Sequence, residues 1–191
     1  MSTVTRLTLV THAITDAVQQ AGFPADEPLN ALGLRAVEKI GRFPEADSDR
    51  TVRVGPEART RQTAAALGLD GAVEPALADL HCGSWSGATM NEVPPEQLGQ
   101  WLGDPGFREH GGESIEDLLG RVRAWLATLT EPGRIVAVTH PGIVRAAVLL
   151  TLTAPAASFW RIDIPPLSAT TLHGRGPVWT VRSTAAPLAG Q

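Results

Sequence analysis

Apolar residues in this chain fall into short runs that alternate with helically spaced stretches. Leu7-Thr8-Leu9-Val10-Thr11 reads as a buried strand, stopped by His12-Ala13. A loop with Gly22, Pro24 and Pro28 follows, then a helix from about Leu32 to Phe43. Thr51-Val52-Arg53-Val54 is a second strand, closed by Gly55-Pro56, and Glu57 to Leu67 has helical composition with Gly68 as its stop. Ala76 to Gly87 is irregular, and Pro94-Pro95 opens a short helix through Leu102. The clearest helix begins at Ser114, where Ile115, Leu118, Leu119, Val122, Leu126 and Leu129 recur at helical spacing and Asp117 completes a capping-box-like start. Arg134 to Thr139 is another buried strand, ended by His140, and Ile143 to Leu152 is helical. Late strands are expected around Trp160 to Ile164, Ala169 to Leu172 and Val178 to Val181.

Strands alternating with helices at this spacing predict a three-layer α/β/α fold with a mostly parallel central sheet. The length, 191 residues, suits one well-buried core, so residues 1–191 are expected to form a single domain. Within that frame one echo stands out. Leu9-Val10-Thr11-His12-Ala13 and Ala137-Val138-Thr139-His140-Pro141 both place Val-Thr-His at the end of an apolar strand. Ligands of open α/β sheets sit beyond the carboxyl ends of strands. Two histidines leaving that edge can therefore be neighbours in space, although a lone loop histidine is more often merely hydrogen-bonded.

Charge and composition narrow the classes. The formal charge of −4 gives no general attraction to nucleic acid or anionic lipid, so an anion site must be local. Fifteen of the sixteen basic residues are Arg, Lys39 being the exception, a skew that lowers the weight of any single arginine in a motif. Cys82 has no partner for an internal disulfide. No apolar run approaches the roughly 20 residues that span a bilayer, and Met1 to Arg6 lacks a signal-peptide layout. A cytoplasmic protein without membrane or nucleic-acid partners is expected. Oligomeric state is left open.

Between the two histidines lie Gly55-Pro56-Glu57-Ala58-Arg59-Thr60-Arg61-Gln62-Thr63, then Asp79-Leu80-His81-Cys82-Gly83-Ser84-Trp85-Ser86-Gly87, then Gly112-Glu113-Ser114. In this order, from about Leu7 to Leu150, the chain resembles the histidine phosphatase superfamily, which includes phosphoglycerate mutases and many small phosphomonoesterases. The resemblance implies a phosphoglycerate mutase-like fold and hydrolysis of a small phosphorylated metabolite without a cofactor. It makes His12 the nucleophile that forms a phosphohistidine, Arg59 and His140 the cations that clamp the phosphoryl group, and Asp79 the proton donor. Asp79 stands where the family usually has Glu. Inorganic phosphate is an expected ligand as well.

The pattern breaks at the first motif, Arg-His-Gly in the family and Thr11-His12-Ala13 here. Thr11 then supplies a hydroxyl in place of a guanidinium, with Thr15 or His81 as candidate stand-ins for the missing donor. Two readings stay open: a working phosphatase, and a pseudophosphatase that binds a phosphorylated ligand or partner without turnover. Mutase chemistry is disfavoured, since the mutases that resemble this chain are longer. His12, His81, His110, His140 and His173 lack metal-ligand spacing, and Gly83-Ser84-Trp85-Ser86-Gly87 puts Trp where a nucleophile elbow needs Ser. Arg145 is read as half of a buried structural pair, Trp85 as packing, and Glu113-Ser114 as a helix start.

Overall fold

The computed structural model describes residues 4–43 and 49–188. The opening Met1-Ser2-Thr3 of the N-terminal reading lies outside them. One six-stranded sheet organises the chain, in the order β3-β2-β4-β1-β5-β6. Its strands are β1 (Thr5–Thr11), β2 (Thr51–Val54), β3 (Ala72–Val73), β4 (Gly133–Thr139), β5 (Ser168–Arg175) and β6 (Val178–Pro187). The first four pair in parallel, whereas β5 and β6 join antiparallel at the β1 edge. The helices are α1 (Asp16–Gln19), α2 (Ala31–Ile40), α3 (Ala58–Ala66), α4 (Pro95–Gly103), α5 (Ile115–Thr128) and α6 (Pro141–Leu152).

Strand periodicity divides the core. Leu7 and Leu9 of β1 and Ala137 of β4 pack with Leu118, Val122, Ile143 and Ala147 of α5 and α6. Val10, Val136 and Val138 face the other way, against Val37 of α2 and Ala64 of α3. Successive residues of a strand point to opposite faces, so a strand apolar on both sides must lie between two helical layers. The α/β/α sandwich follows.

Three local expectations change. The helix expected to reach Phe43 ends at Ile40, because Gly41 adopts φ +70° and caps it. The strand expected at Trp160 to Ile164 is instead a 3-10 turn over Ala156–Arg161. Pro165-Pro166 behind it cannot donate to a sheet ladder, and Phe159 is fully buried while Trp160 packs at a tilt against Trp101 with ring centroids 4.3 Å apart. Aromatic packing there overrides strand propensity. Within the loop after His12, Thr15 caps the single-turn α1 by accepting from the Val18 amide.

The glycine at position 33 lets α2 close on that loop. A Cβ built there would lie 2.1 Å from the Ile14 carbonyl oxygen, so the helix and the chain just after His12 touch backbone to backbone.

Candidate active site

Strand pairing turns the sequence echo into geometry. β1 and β4 are adjacent and parallel, with Val10 opposite Val138 and Thr11 opposite Thr139. The His12 amide then donates to the Thr139 carbonyl at 3.0 Å. The two histidines leave the sheet side by side, with ring centroids 5.2 Å apart in an edge-on arrangement. Both are buried.

Each ring is fixed by its own partners. His12 Nδ1 lies 2.7 Å from its neighbour's carbonyl, Ala13 O, a contact that a protonated Nδ1 alone can satisfy. Nε2 therefore carries the free lone pair. Burial, together with the charges of His140 and Arg59, pushes the His12 pKa down to about 3, so the ring is neutral at physiological pH. His140 is held in the opposite state. Its Nε2 is 2.7 Å from Glu57 Oε2, and its Nδ1 is 3.3 Å from Asp79 Oδ2. Burial opposes charge on this ring, but the Asp79 and Glu57 carboxylates outweigh it and raise its pKa. One histidine is an uncharged base and its neighbour a cation.

Arg59 enters from the first turn of α3, where the loop after β2 delivers it. Gly55 in that loop packs tightly, since a Cβ there would stand 3.2 Å from His140 Nε2. The guanidinium is buried. It donates to Ala25 O at 2.7 Å and to Asp79 Oδ2 at 2.9 Å, with Glu27 Oε2 at 3.6 Å. Asp79 thus faces two cations. Burial alone would raise its pKa, but His140 and then Arg59 pull it well below the usual carboxylate range. Its loop is clamped from behind by Arg121 of α5, which donates to the carbonyls of Ala76, Ala78 and Asp79 and to the Glu113 carboxylate. Glu113 therefore does more than precede a helix: it braces the arginine that holds the Asp79 segment.

His12, Arg59, Asp79 and Thr15 line one cavity of about 210 Å³. His140 sits just beneath it, against Asp79. The outer walls are apolar, formed by Phe23, Met90, Trp101, Phe159 and Trp160. Thr11 is not among the lining residues. Its hydroxyl is occupied in the sheet, donating to Pro165 O at 2.8 Å and accepting from the Ser168 amide at 3.0 Å. His81 is exposed and lies outside the cavity. Trp85 packs among Phe23, Trp101, Phe107 and His110. Cys82 does reach the cavity, but burial pushes its thiol up to about 12, so it is no nucleophile at neutral pH.

Two residues at the site carry roles that the sequence pattern did not assign. Glu57, two positions before Arg59, holds His140. Its position at the start of α3 was visible, but its partner comes from the far strand. Arg145 lines the cavity and has no carboxylate partner among the described residues, contrary to the structural pair expected for it.

A model of the histidine phosphatase superfamily (branch 1) matches residues 7–186. The chain belongs to that superfamily. A bifunctional protein of Mycobacterium tuberculosis is 29% identical over 189 residues, covering 91% of this chain and 52% of that protein. A glucosyl-3-phosphoglycerate phosphatase of the same species is 31% identical over 106 residues, 48% of each chain. This histidine phosphatase chain spans about half the length of the curated relatives it matches. Among solved structures, a mycobacterial glucosyl-3-phosphoglycerate phosphatase in complex with VO3 superposes with TM-score 0.81 at 26% identity, covering 95% of this chain and 98% of that one. A phosphoserine phosphatase mutant from Entamoeba histolytica, in complex with phosphoserine, gives TM-score 0.84 at 18% identity, over 95% and 96% of the two chains. That second likeness concerns the fold alone.

The neutral state of His12 has a measurable consequence for stability. Its unfolded pKa is the ordinary 6.5 and its folded value about 3. Below pH 6.5 the unfolded chain takes up a proton that the folded chain refuses. Stability from this residue is therefore full above 6.5 and declines as pH falls toward 3. At pH 5 the loss is about 2 kcal/mol. His140, whose pKa is raised, adds a slope of the opposite sign, because above 6.5 the unfolded ring gives up a proton that the folded ring keeps; that contribution is common to wild type and a His12 variant. A His12→Asn variant should lose less of its thermal midpoint than wild type between about pH 7.5 and pH 5. Equal losses would show that His12 is not the group responsible.

Proposed function

We propose that this protein hydrolyses phosphomonoesters of small metabolites through a phosphohistidine on His12. The observation that carries this reading is the division of labour between two adjacent histidines. A neutral ring with its Nε2 lone pair free stands beside a cationic ring and a buried guanidinium. Nε2 attacks phosphorus as the ester oxygen departs in line, and water then cleaves the nitrogen–phosphorus bond. Arg59 and His140 carry the charge of the equatorial oxygens, supported by the amino end of α6, whose helix starts directly after His140.

Asp79 is the proton donor in this reading, and its environment sets a condition. Held between two cations, the carboxyl is ionised while Arg59 and His140 face it. An incoming phosphoryl group competes for the same two cations. As they turn toward it, Asp79 loses its compensation and gains a negative neighbour, and both effects raise its pKa. The carboxyl then takes up a proton that it can return to the leaving alkoxide. Substrate binding itself primes the acid. Thr11 contributes to this site by tying β1 to β5, leaving Arg59 and His140 as the phosphoryl clamp.

The replacement of the motif arginine by Thr11 favours a second reading, a protein that binds a phosphorylated ligand without turnover. One experiment separates the two. Purified protein is incubated with a panel of phosphomonoesters, orthophosphate is measured, and a rapid alkaline quench preserves any phosphohistidine for mass analysis. Orthophosphate release with His12 phosphorylated supports the hydrolase. Ligand binding with neither product nor phosphohistidine would leave only the binding protein.

A further inference from the structure

Arg145 is the cation of this cavity that the reaction scheme does not use. It projects from α6 among buried apolar neighbours, Ile143, Val144, Ala146 and Ala147. Its Nε donates to Ile162 O at 2.8 Å. The guanidinium carbon lies 5.7 Å from the Phe159 ring centroid and 5.4 Å from that of Trp160. These contacts fix the plane of the group and leave its two terminal nitrogens without a protein acceptor among the described residues. Burial opposes its charge and lowers its pKa, and the Asp163 and Asp79 carboxylates offset that cost only in part, neither of them hydrogen-bonded to the guanidinium among the described residues.

Its place in the cavity indicates what those nitrogens meet. One turn earlier on α6, Gly142 adjoins Asp79. A Cβ there would stand 3.6 Å from Asp79 Oδ1 and 3.9 Å from the Phe159 ring. Arg145 therefore belongs to the Asp79 side of the cavity, where the leaving alcohol departs. The phosphoryl clamp, Arg59 with His140, meets Asp79 at Oδ2, whereas Gly142 adjoins Oδ1. With Nε occupied, the two terminal nitrogens present a flat two-pronged donor edge. Such an edge matches the two oxygens of a carboxylate.

Resting on the phosphatase reading above, we infer that Arg145 selects phosphomonoesters whose alcohol carries a carboxylate, binding that group while the adjoining carbon skeleton lies against Phe159 and Trp160. Arg145 thus determines specificity for the leaving group.

Phosphoserine and phosphoethanolamine test this directly, because they differ only in the carboxylate. Wild type should favour phosphoserine in kcat/KM by about tenfold to a hundredfold, the range expected for a charge-assisted hydrogen-bond pair. Arg145→Met keeps the apolar stem over the aromatic rings and should erase that ratio, mainly by raising KM for phosphoserine. Arg145→Lys keeps the charge, loses the fork, and should fall between. Circular dichroism establishes that each variant is folded. Equal losses on both esters, or no preference in wild type, would overturn the assignment. If neither ester is hydrolysed, calorimetric affinities of both for wild type and Arg145→Met decide the matter. A carboxylate preference that depends on Arg145 would then uphold the inference while the phosphatase reading fails. No preference would overturn it.

Discussion

A His12→Ala variant should lose phosphate release by about four orders of magnitude or more while retaining its fold, because it removes the proposed nucleophile and little else. The ring makes one side-chain hydrogen bond, to the carbonyl of the next residue. No ion pair among the described residues depends on it. Its neutral state and buried position mean that no charge is left uncompensated when it is deleted. The relief of one unfavourable ionisation at acid pH even offsets part of the lost packing. Thermal midpoints of variant and wild type should therefore differ little near pH 5, although turnover differs greatly. Initial-rate measurements on any ester that wild type hydrolyses check the first half, and calorimetry checks the second. A variant with near wild-type turnover would remove His12 from the chemistry. Unfolding of the variant would instead make it a structural residue.

The contrast with His140 explains why the pair works as two different groups. Both histidines end parallel neighbouring strands with the same Val-Thr-His context, and both are buried. Among the described residues, carboxylates pair with His140 alone, Glu57 from the start of α3 and Asp79 from the loop beyond β3. Their charges make it an imidazolium, and that imidazolium in turn helps keep His12 neutral. Local sequence is nearly identical at the two positions. The difference in protonation is made by residues that arrive from elsewhere in the chain.

That origin separates what the sequence reveals from what it hides. The alternation of apolar runs with helical spacing was enough for the three-layer architecture, because strands buried on both faces need helices on both sides. The Val-Thr-His echo anticipated that His12 and His140 are neighbours, since strand ends of a parallel sheet share one edge. Side-chain direction was not legible. Thr11 looked like a donor to the ligand, yet its hydroxyl points to β5 and satisfies the Ser168 amide. Arg145 looked like half of an ion pair, because an arginine in an apolar helix usually finds one, yet Phe159, Trp160 and a backbone carbonyl hold it instead. The Trp160 to Ile164 strand failed for a related reason. Aromatic residues suit strands in isolation, but here their partner is Trp101 on α4 rather than a neighbouring strand.

Arg59→Met should behave unlike His12→Ala, losing both stability and phosphate affinity. The guanidinium is buried and answers a backbone carbonyl and two carboxylates, Asp79 and Glu27. Breaking a buried ion pair from one side costs about 3–5 kcal/mol, since the remaining charge is stranded. His140 still faces Asp79, which places the expected loss toward the lower end. Affinity for orthophosphate should drop by a hundredfold or more with the loss of a forked charge-assisted donor. The two effects can be pulled apart. Adding Asp79→Asn to Arg59→Met removes the stranded charge next to the vacant position. Chemical denaturation should show much of the lost stability returning in the double variant, while calorimetry shows phosphate affinity remaining low. If affinity returned together with stability, Arg59 would be holding the fold and not the phosphoryl group. If neither stability nor affinity changed in Arg59→Met, the ion pairs around this guanidinium would have no part in the site. Recovery of the fold without recovery of binding is the outcome required of a residue that a phosphoryl group must take away from Asp79.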